Sequence, residues 1–123
     1  MTIDELLRKL GASMGLGPLA FDEHGNCSLV FDGDLEVNLT HDPENWALFM
    51  HCAVGRAGLL DRGQCLRLLE ASMHDAGNAG CAFSVHAASD AVVIWKRHDS
   101  VFAGLEDLRA ALEAFLAQAS AWK

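Results

Sequence analysis

Six histidines and four cysteines carry the widest chemistry in this 123-residue chain, since imidazole and thiolate are zinc's preferred ligands and the makings of a Cys-His nucleophilic pair. Their spacing supports neither use. Cys27, Cys52, Cys65 and Cys81 form no CxxC pair, so reduced thiols within strands and helices are the simplest reading. His51 and Cys52 are adjacent in an apolar run, and on a strand they would point to opposite faces. His24, His41, His86 and His98 fall at turns or strand ends, where a solvated imidazole is ordinary. Gly11-Ala12-Ser13-Met14-Gly15 matches the G-x-S-x-G pattern, but that chemistry needs a strand before the serine and a helix after it. Here a helical pattern precedes the motif and Pro18 follows. Asp32, Asp34 and Glu36 alternate as in a calcium loop, yet Val37 stands where such a loop requires glycine. These residues therefore yield no catalytic residue, no metal ligand and no cofactor. A small Cys/His enzyme or metal protein using His51, Cys52, Cys65 or His74 is the alternative from another functional class.

Composition moves the search from sites to surfaces. A chain of this length makes one domain, 1–123, and buries only about two thirds of its unfolded surface. Hydrophobic residues are 51% of it against 21% charged, so spare apolar area needs a partner or a second copy to cover it. The net charge of −8, with nine scattered Lys and Arg, argues against nucleic acid and against anionic membranes. Acids occupy the start, Met-Thr-Ile-Asp-Glu, where a secretory signal would be basic. No apolar stretch approaches the roughly 18 to 20 residues of a membrane span, so a cytosolic protein is expected, with no small-molecule substrate.

Local patterns place the elements. Thr2 and Glu5 have the spacing of a capping box, and Ile3, Leu6, Leu7, Leu10 and Met14 recur on one helical stripe. Gly15, Gly17 and Pro18 end that helix. Cys27 to Phe31 reads as a strand, Asp32-Gly33 as a reversal, and Leu35 to His41 as its partner, with Leu35, Val37 and Leu39 alternating against polar residues. Trp46 to Val54 is apolar on both sides of the pleat, which predicts a central strand covered on both faces or nearly so. Asp61 caps a second helix running to about His74, with Cys65, Leu68, Leu69 and Met73 on one side and Leu66 beside them, closed by Gly77 and Gly80. Cys81 to His86 and Ala91 to Lys96 form a second hairpin. Leu105, Leu108, Leu112, Phe115, Leu116 and Ala119 define a last helix ending near Trp122. Met14, Met50 and Met73 fall on faces expected to be buried or half-buried. The fold class is α+β, a single-domain αβββαββα sandwich with a twisted antiparallel sheet and flanking helices.

In that order the residues Leu6-Leu7, Leu10, Gly15-Leu16, Pro18-Leu19, Phe21-Asp22-Glu23, Gly25, Cys27, Leu29 and Phe31-Asp32-Gly33 resemble the class I chaperones of bacterial type III secretion, the Tir-chaperone or CesT-like family. The closing stretch from Phe115 to Trp122 is similar to that family's last helix. The resemblance spans nearly the whole chain. It implies a homodimeric bacterial cytosolic protein that holds the N-terminal segment of a secreted effector along apolar patches, without enzymatic activity. It further implies a dimer interface through Cys65, Leu66, Leu69, Met73, Phe83, Val85 and Trp95. Effector contacts would come through Leu16, Leu19, Phe21, Leu29, Phe31, Val37 and Leu39. A regulatory protein on the same fold, sequestering a cytosolic partner, is the alternative within the binding class.

Overall fold

Thr2 begins the first helix of the computed structural model, which describes residues 1–32, 34–73 and 79–123. Its hydroxyl accepts the Glu5 N–H at 3.2 Å, which satisfies one of the orphan donors of helix α1 (Ile3–Ser13). The helical stripe then buries Ile3, Leu6, Leu7 and Leu10. Strands β1 (Asn26–Phe31), β2 (Leu35–Asp42) and β3 (Ala47–Arg56) follow, then helix α2 (Arg62–Ala71), strands β4 (Ala82–His86) and β5 (Ala91–Asp99), and helix α3 (Leu105–Trp122). The expected order αβββαββα is the observed one.

All five strands pair antiparallel in the order β1-β2-β3-β5-β4. β3 is therefore the central strand. Alternation through the pleat sends Leu29, Val37, Leu39, Leu48, Met50, Cys52 and Ile94 to one face, where they join α1 and α3 in a continuous core. Phe115, Leu108 and Leu112 of α3 complete it, and α3 packs against α1 and over β3. On the opposite face lie Val30, Asn38, Thr40, Phe49, His51, Val93 and Trp95, by the same register.

Several boundaries differ from the sequence expectation. Trp46 does not open β3: it ends a 3-10 turn (Pro43–Asn45) in a left-handed conformation, φ 51, with its ring exposed. β3 is not covered on both faces, because its outward residues Phe49 and His51 are only half-buried and Ala53 is exposed. β5 runs three residues beyond Lys96 to Asp99, held by pairing with Ala47 and Leu48. Cys81 precedes β4 rather than starting it. α2 ends at Ala71, so Met73 lies past the helix and is exposed, not buried. The proposed helix end at His74, the closing residue Gly77 and the turn residue Gly33 lie outside the described residues.

Gly11 shows how α1 meets the loop that follows. A Cβ there would overlap the Gly17 carbonyl oxygen and the Leu19 side chain, while Leu16 N–H donates to the Gly11 carbonyl at 2.9 Å. Gly11→Ala gains about 1 kcal/mol of helix propensity, yet it must push this loop away at a cost of about 1–3 kcal/mol. Urea unfolding is expected to show net destabilisation. A midpoint raised by the substitution would show that the loop yields freely.

Candidate functional site

Two apolar surfaces flank the sheet among the described residues once the core is filled. The first is built on α2. Asp61 and Gln64 form a complete capping box, with Gln64 N–H donating to Asp61 Oδ1 at 2.8 Å and Asp61 N–H donating to Gln64 Oε1 at 2.9 Å, so the start of the helix is specified locally. Its ten residues bury none of their side chains. A helix of that length is marginal in water unless an apolar face is packed. Leu66, Leu69 and Met73 are exposed, as is Val85 on β4. Between α2 and β4 runs a groove of about 190 Å³ lined by Cys65, Leu68, Leu69, Phe83 and Val85. Ser72 fixes the two elements together: its hydroxyl donates to the Leu68 carbonyl at 2.9 Å and accepts the Phe83 N–H at 3.0 Å. Phe83 in turn stands edge-on to Trp122, ring centres 4.7 Å apart.

The second surface is the outer sheet face. Thr40, Phe49, His51, Val93 and Trp95 line an open depression of about 370 Å³. The Phe49 and Trp95 rings lie 6.4 Å apart, and the indole N–H donates to Ser84 Oγ at 2.9 Å. A polar chain crosses three strands beneath them. Thr40 donates its hydroxyl hydrogen to Asn26 Oδ1 at 2.7 Å, so its oxygen is left to accept from His51 Nε2–H at 3.1 Å. That pairing selects the neutral Nε2–H tautomer.

Burial pushes the His51 imidazole below its ordinary value of 6.5, and burial does the same to His98, reinforced by Lys96. Protonation of either in the unfolded chain, at pH values where the folded protein keeps it neutral, favours unfolding. Stability is thus expected to be level above about pH 6.5 and to fall as the pH drops through that value toward the lower folded-state values. Urea unfolding at neutral pH and at pH near 5 checks the sign, and His51→Gln should flatten the profile. A profile that rises on acidification would refute the buried-neutral assignment.

The residues considered for chemistry do not converge. Ser13 ends α1 with its hydroxyl donating to the Leu10 carbonyl at 2.9 Å, the geometry of a helix terminus. Burial raises the Cys27, Cys52 and Cys81 thiols above their ordinary value, which disfavours the thiolate. His51 and Cys52 do point to opposite faces, His51 into the outer depression and Cys52 into the core. Among the described residues no three His, Cys, Asp or Glu side chains are placed to hold a metal ion. His74 lies outside them.

The sequence model of the Tir chaperone protein (CesT) family matches residues 5–123. The chain belongs to that family. No curated protein sequence matches this CesT-family chain, but solved structures do. A chain of the ExsC–ExsE complex is 25% identical, with a TM-score of 0.84 over 98% of this chain and 90% of that one. A chain of the HopA1–SchA chaperone–effector complex is 18% identical, with a TM-score of 0.78 over 96% of this chain and 90% of that one. The complex of the Yersinia pestis type III secretion chaperone SycH with a YscM2 fragment has a chain 17% identical, with a TM-score of 0.76 over 99% of this chain and all of that one. The last two show the shared α+β fold.

Within this CesT-family fold the residues named for a dimer interface separate. Cys65, Leu66, Leu69, Met73, Phe83 and Val85 lie together at α2 and β4. Trp95 faces the other side, in the outer depression. Of the residues named for effector contact, Leu16 is exposed, and Leu19, Phe21 and Phe31 are half-buried. Leu29, Val37 and Leu39 are 2%, 0% and 1% exposed. They are core residues under α1 and α3, and burial removes them from anything a partner can touch. The reason is parity: each sits one residue from an outward neighbour on a pleated strand. The apolar side chains on the outer face are instead Val30, Phe49, Val93 and Trp95, which the alternating pattern of β1 and β2 did not single out. The signal for Phe49, Val93 and Trp95 was present in the two-sided apolar character of β3 and β5.

Proposed function

We propose that this protein is a cytosolic, non-enzymatic type III secretion chaperone, a single domain over 1–123. It acts as a homodimer that binds the N-terminal segment of a secreted effector and keeps it soluble and export-competent. The observation that carries this reading is the presence of two separate apolar surfaces around one filled core: α2 with no buried residue, and a sheet face on which, among the described residues, no helix packs. A second copy covers the first surface through Cys65, Leu66, Leu69, Met73, Phe83 and Val85. The effector covers the second through Val30, Phe49, Val93 and Trp95, and reaches Leu16, Leu19, Phe21 and Phe31 on the side of the sheet that carries α1. Helix-in-groove docking and strand addition at the free edge of β1 both suit such a surface. Membership of the CesT family and the likeness to a chain of the ExsC–ExsE complex support the same assignment.

Light scattering of the purified protein, alone and coexpressed with the N-terminal segment of the secreted protein encoded beside it, tests the proposal. A dimer that takes up the segment and keeps it soluble is the expected result. A monomer that leaves the segment insoluble would overturn both halves of it.

A further inference from the structure

A third surface lies at the end of the sheet where β3 starts and β5 finishes. The turn between β2 and β3 holds Trp46 outward in its left-handed conformation, one that a bulky residue seldom adopts. Three hydrogen bonds keep it there. Trp46 N–H donates to the Pro43 carbonyl at 3.4 Å, Ser100 N–H to the Trp46 carbonyl at 2.8 Å, and Arg97 Nη2 to the Asn45 carbonyl at 3.1 Å. Trp46 is 67% exposed, and Val101 is 70% exposed. Both line a depression of about 650 Å³ together with Ile3, Asp4, Glu5 and Pro43. A second depression of about 370 Å³, lined by Phe21, Asp22 and Glu23, shares Asp4, His41 and Pro43 with the first. The two make one groove, running from Val101 to Phe21.

Its charge is one-sided. Asp4, Glu5, Asp22 and Glu23 line it, and among the described residues no Lys or Arg does. The titratable groups facing them are the imidazoles of His41 and His24, the latter 3.4 Å from Glu23. Backbone N–H groups of Asn26 and His24 hold the Asp22 carboxyl below its ordinary range, so it stays ionised. Acidic walls repel nucleic acid and anionic lipid. A second copy of a chain with net charge −8 would bring the same carboxylates against these. We propose that this groove docks a cationic segment of a second protein, which sets an apolar side chain between Trp46 and Val101 and Lys or Arg residues against Asp4, Glu5, Asp22 and Glu23. Apolar anchors ringed by complementary charge are the usual make-up of such an interface.

The groove is separate from the α2–β4 face and from the outer sheet depression, and it meets the residues offered to the effector only at Phe21. β5 pairs Asp99 with Ala47 at this end, and Ile94 and Val92 with Phe83 and Val85 of the α2–β4 face, five and seven residues away, so the groove and that face are about 17–24 Å apart along the strand. Dimerisation through α2 leaves it open, and the proposal holds whether or not an effector occupies the outer face.

The test uses the full chain, isotopically labelled, titrated with an oligolysine peptide carrying one central Phe and with an oligoglutamate peptide carrying the same Phe. The lysine peptide should shift the Trp46 indole N–H and the Val101 methyls. Its affinity should fall about tenfold or more in Trp46→Ala, in the pair Asp4→Asn with Glu23→Gln, and at raised salt. The glutamate peptide should not bind. The charge pair keeps the test decisive should Trp46→Ala perturb the turn. No binding, shifts confined to the outer sheet face or to α2, equal binding of both peptides, or affinities unmoved by the substitutions would each overturn the proposal.

Discussion

Leu69→Asp is expected to leave the protein folded and to abolish its self-association. Leu69 is 69% exposed in the single chain, and α2 buries nothing in the core, so a carboxylate there costs the fold little. In a two-fold dimer the change is made twice. Each buried leucine contributes about 1.5–3 kcal/mol relative to exposure, so the pair removes about 3–6 kcal/mol, a hundredfold to ten-thousandfold loss in dimer affinity on the order expected from that free energy. Desolvating two carboxylates adds to it. Light scattering at micromolar concentration should report a monomer, with an unchanged far-ultraviolet circular dichroism spectrum. A variant that remains dimeric would place the interface elsewhere, and a variant that unfolds would show α2 to be inseparable from the core.

The second large effect separates core from surface within the same strands. Leu39 is 1% exposed between Cys27 and Met50 in the strand register, and Leu39→Ala should cost about 2–5 kcal/mol of stability through lost transfer energy and the cavity left behind. That is a large part of the roughly 5–15 kcal/mol typical of a domain. The folded fraction of the variant should still bind an effector segment with normal affinity. Trp95→Ala should do the reverse. Its ring is half-buried on the open face beside Phe49, tied to Ser84, and an aromatic anchor at the centre of an interface is worth about 2 kcal/mol or more, roughly thirtyfold in affinity. Urea midpoints and calorimetric titrations on the two variants decide it. Weakened binding by folded Leu39→Ala would return β2's inward residues to the binding surface.

Local chemistry was enough to place most of the elements. The Thr2 cap, the stripe from Ile3 to Leu10, the Asp61 cap and the alternation of Leu35, Val37 and Leu39 each act within a few residues of chain, and each reappears where expected. The boundary errors come from long-range partners. β5 extends to Asp99 because β3 is there to pair with it. Trp46 leaves the strand because Pro43 and Ser100 hold the turn around it.

What the sequence determined by itself was the order of the elements, the α+β class and the surplus of apolar surface, which follow from periodicity, caps and composition, together with the family, which it carries as a resemblance to known chaperones. Which apolar residues face outward was decided by the tertiary structure alone. The alternation of Leu35, Val37 and Leu39 with Glu36, Asn38 and Thr40 already marks the inward face of β2, but both faces of β3 and β5 are apolar, so there the pattern cannot say which one meets the helices. Packing of Leu6, Leu10 and Phe115 against one side settled it. The same packing left Phe49 and Trp95 uncovered, left α2 with no buried side chain, and set Trp46 and Val101 together from segments more than fifty residues apart.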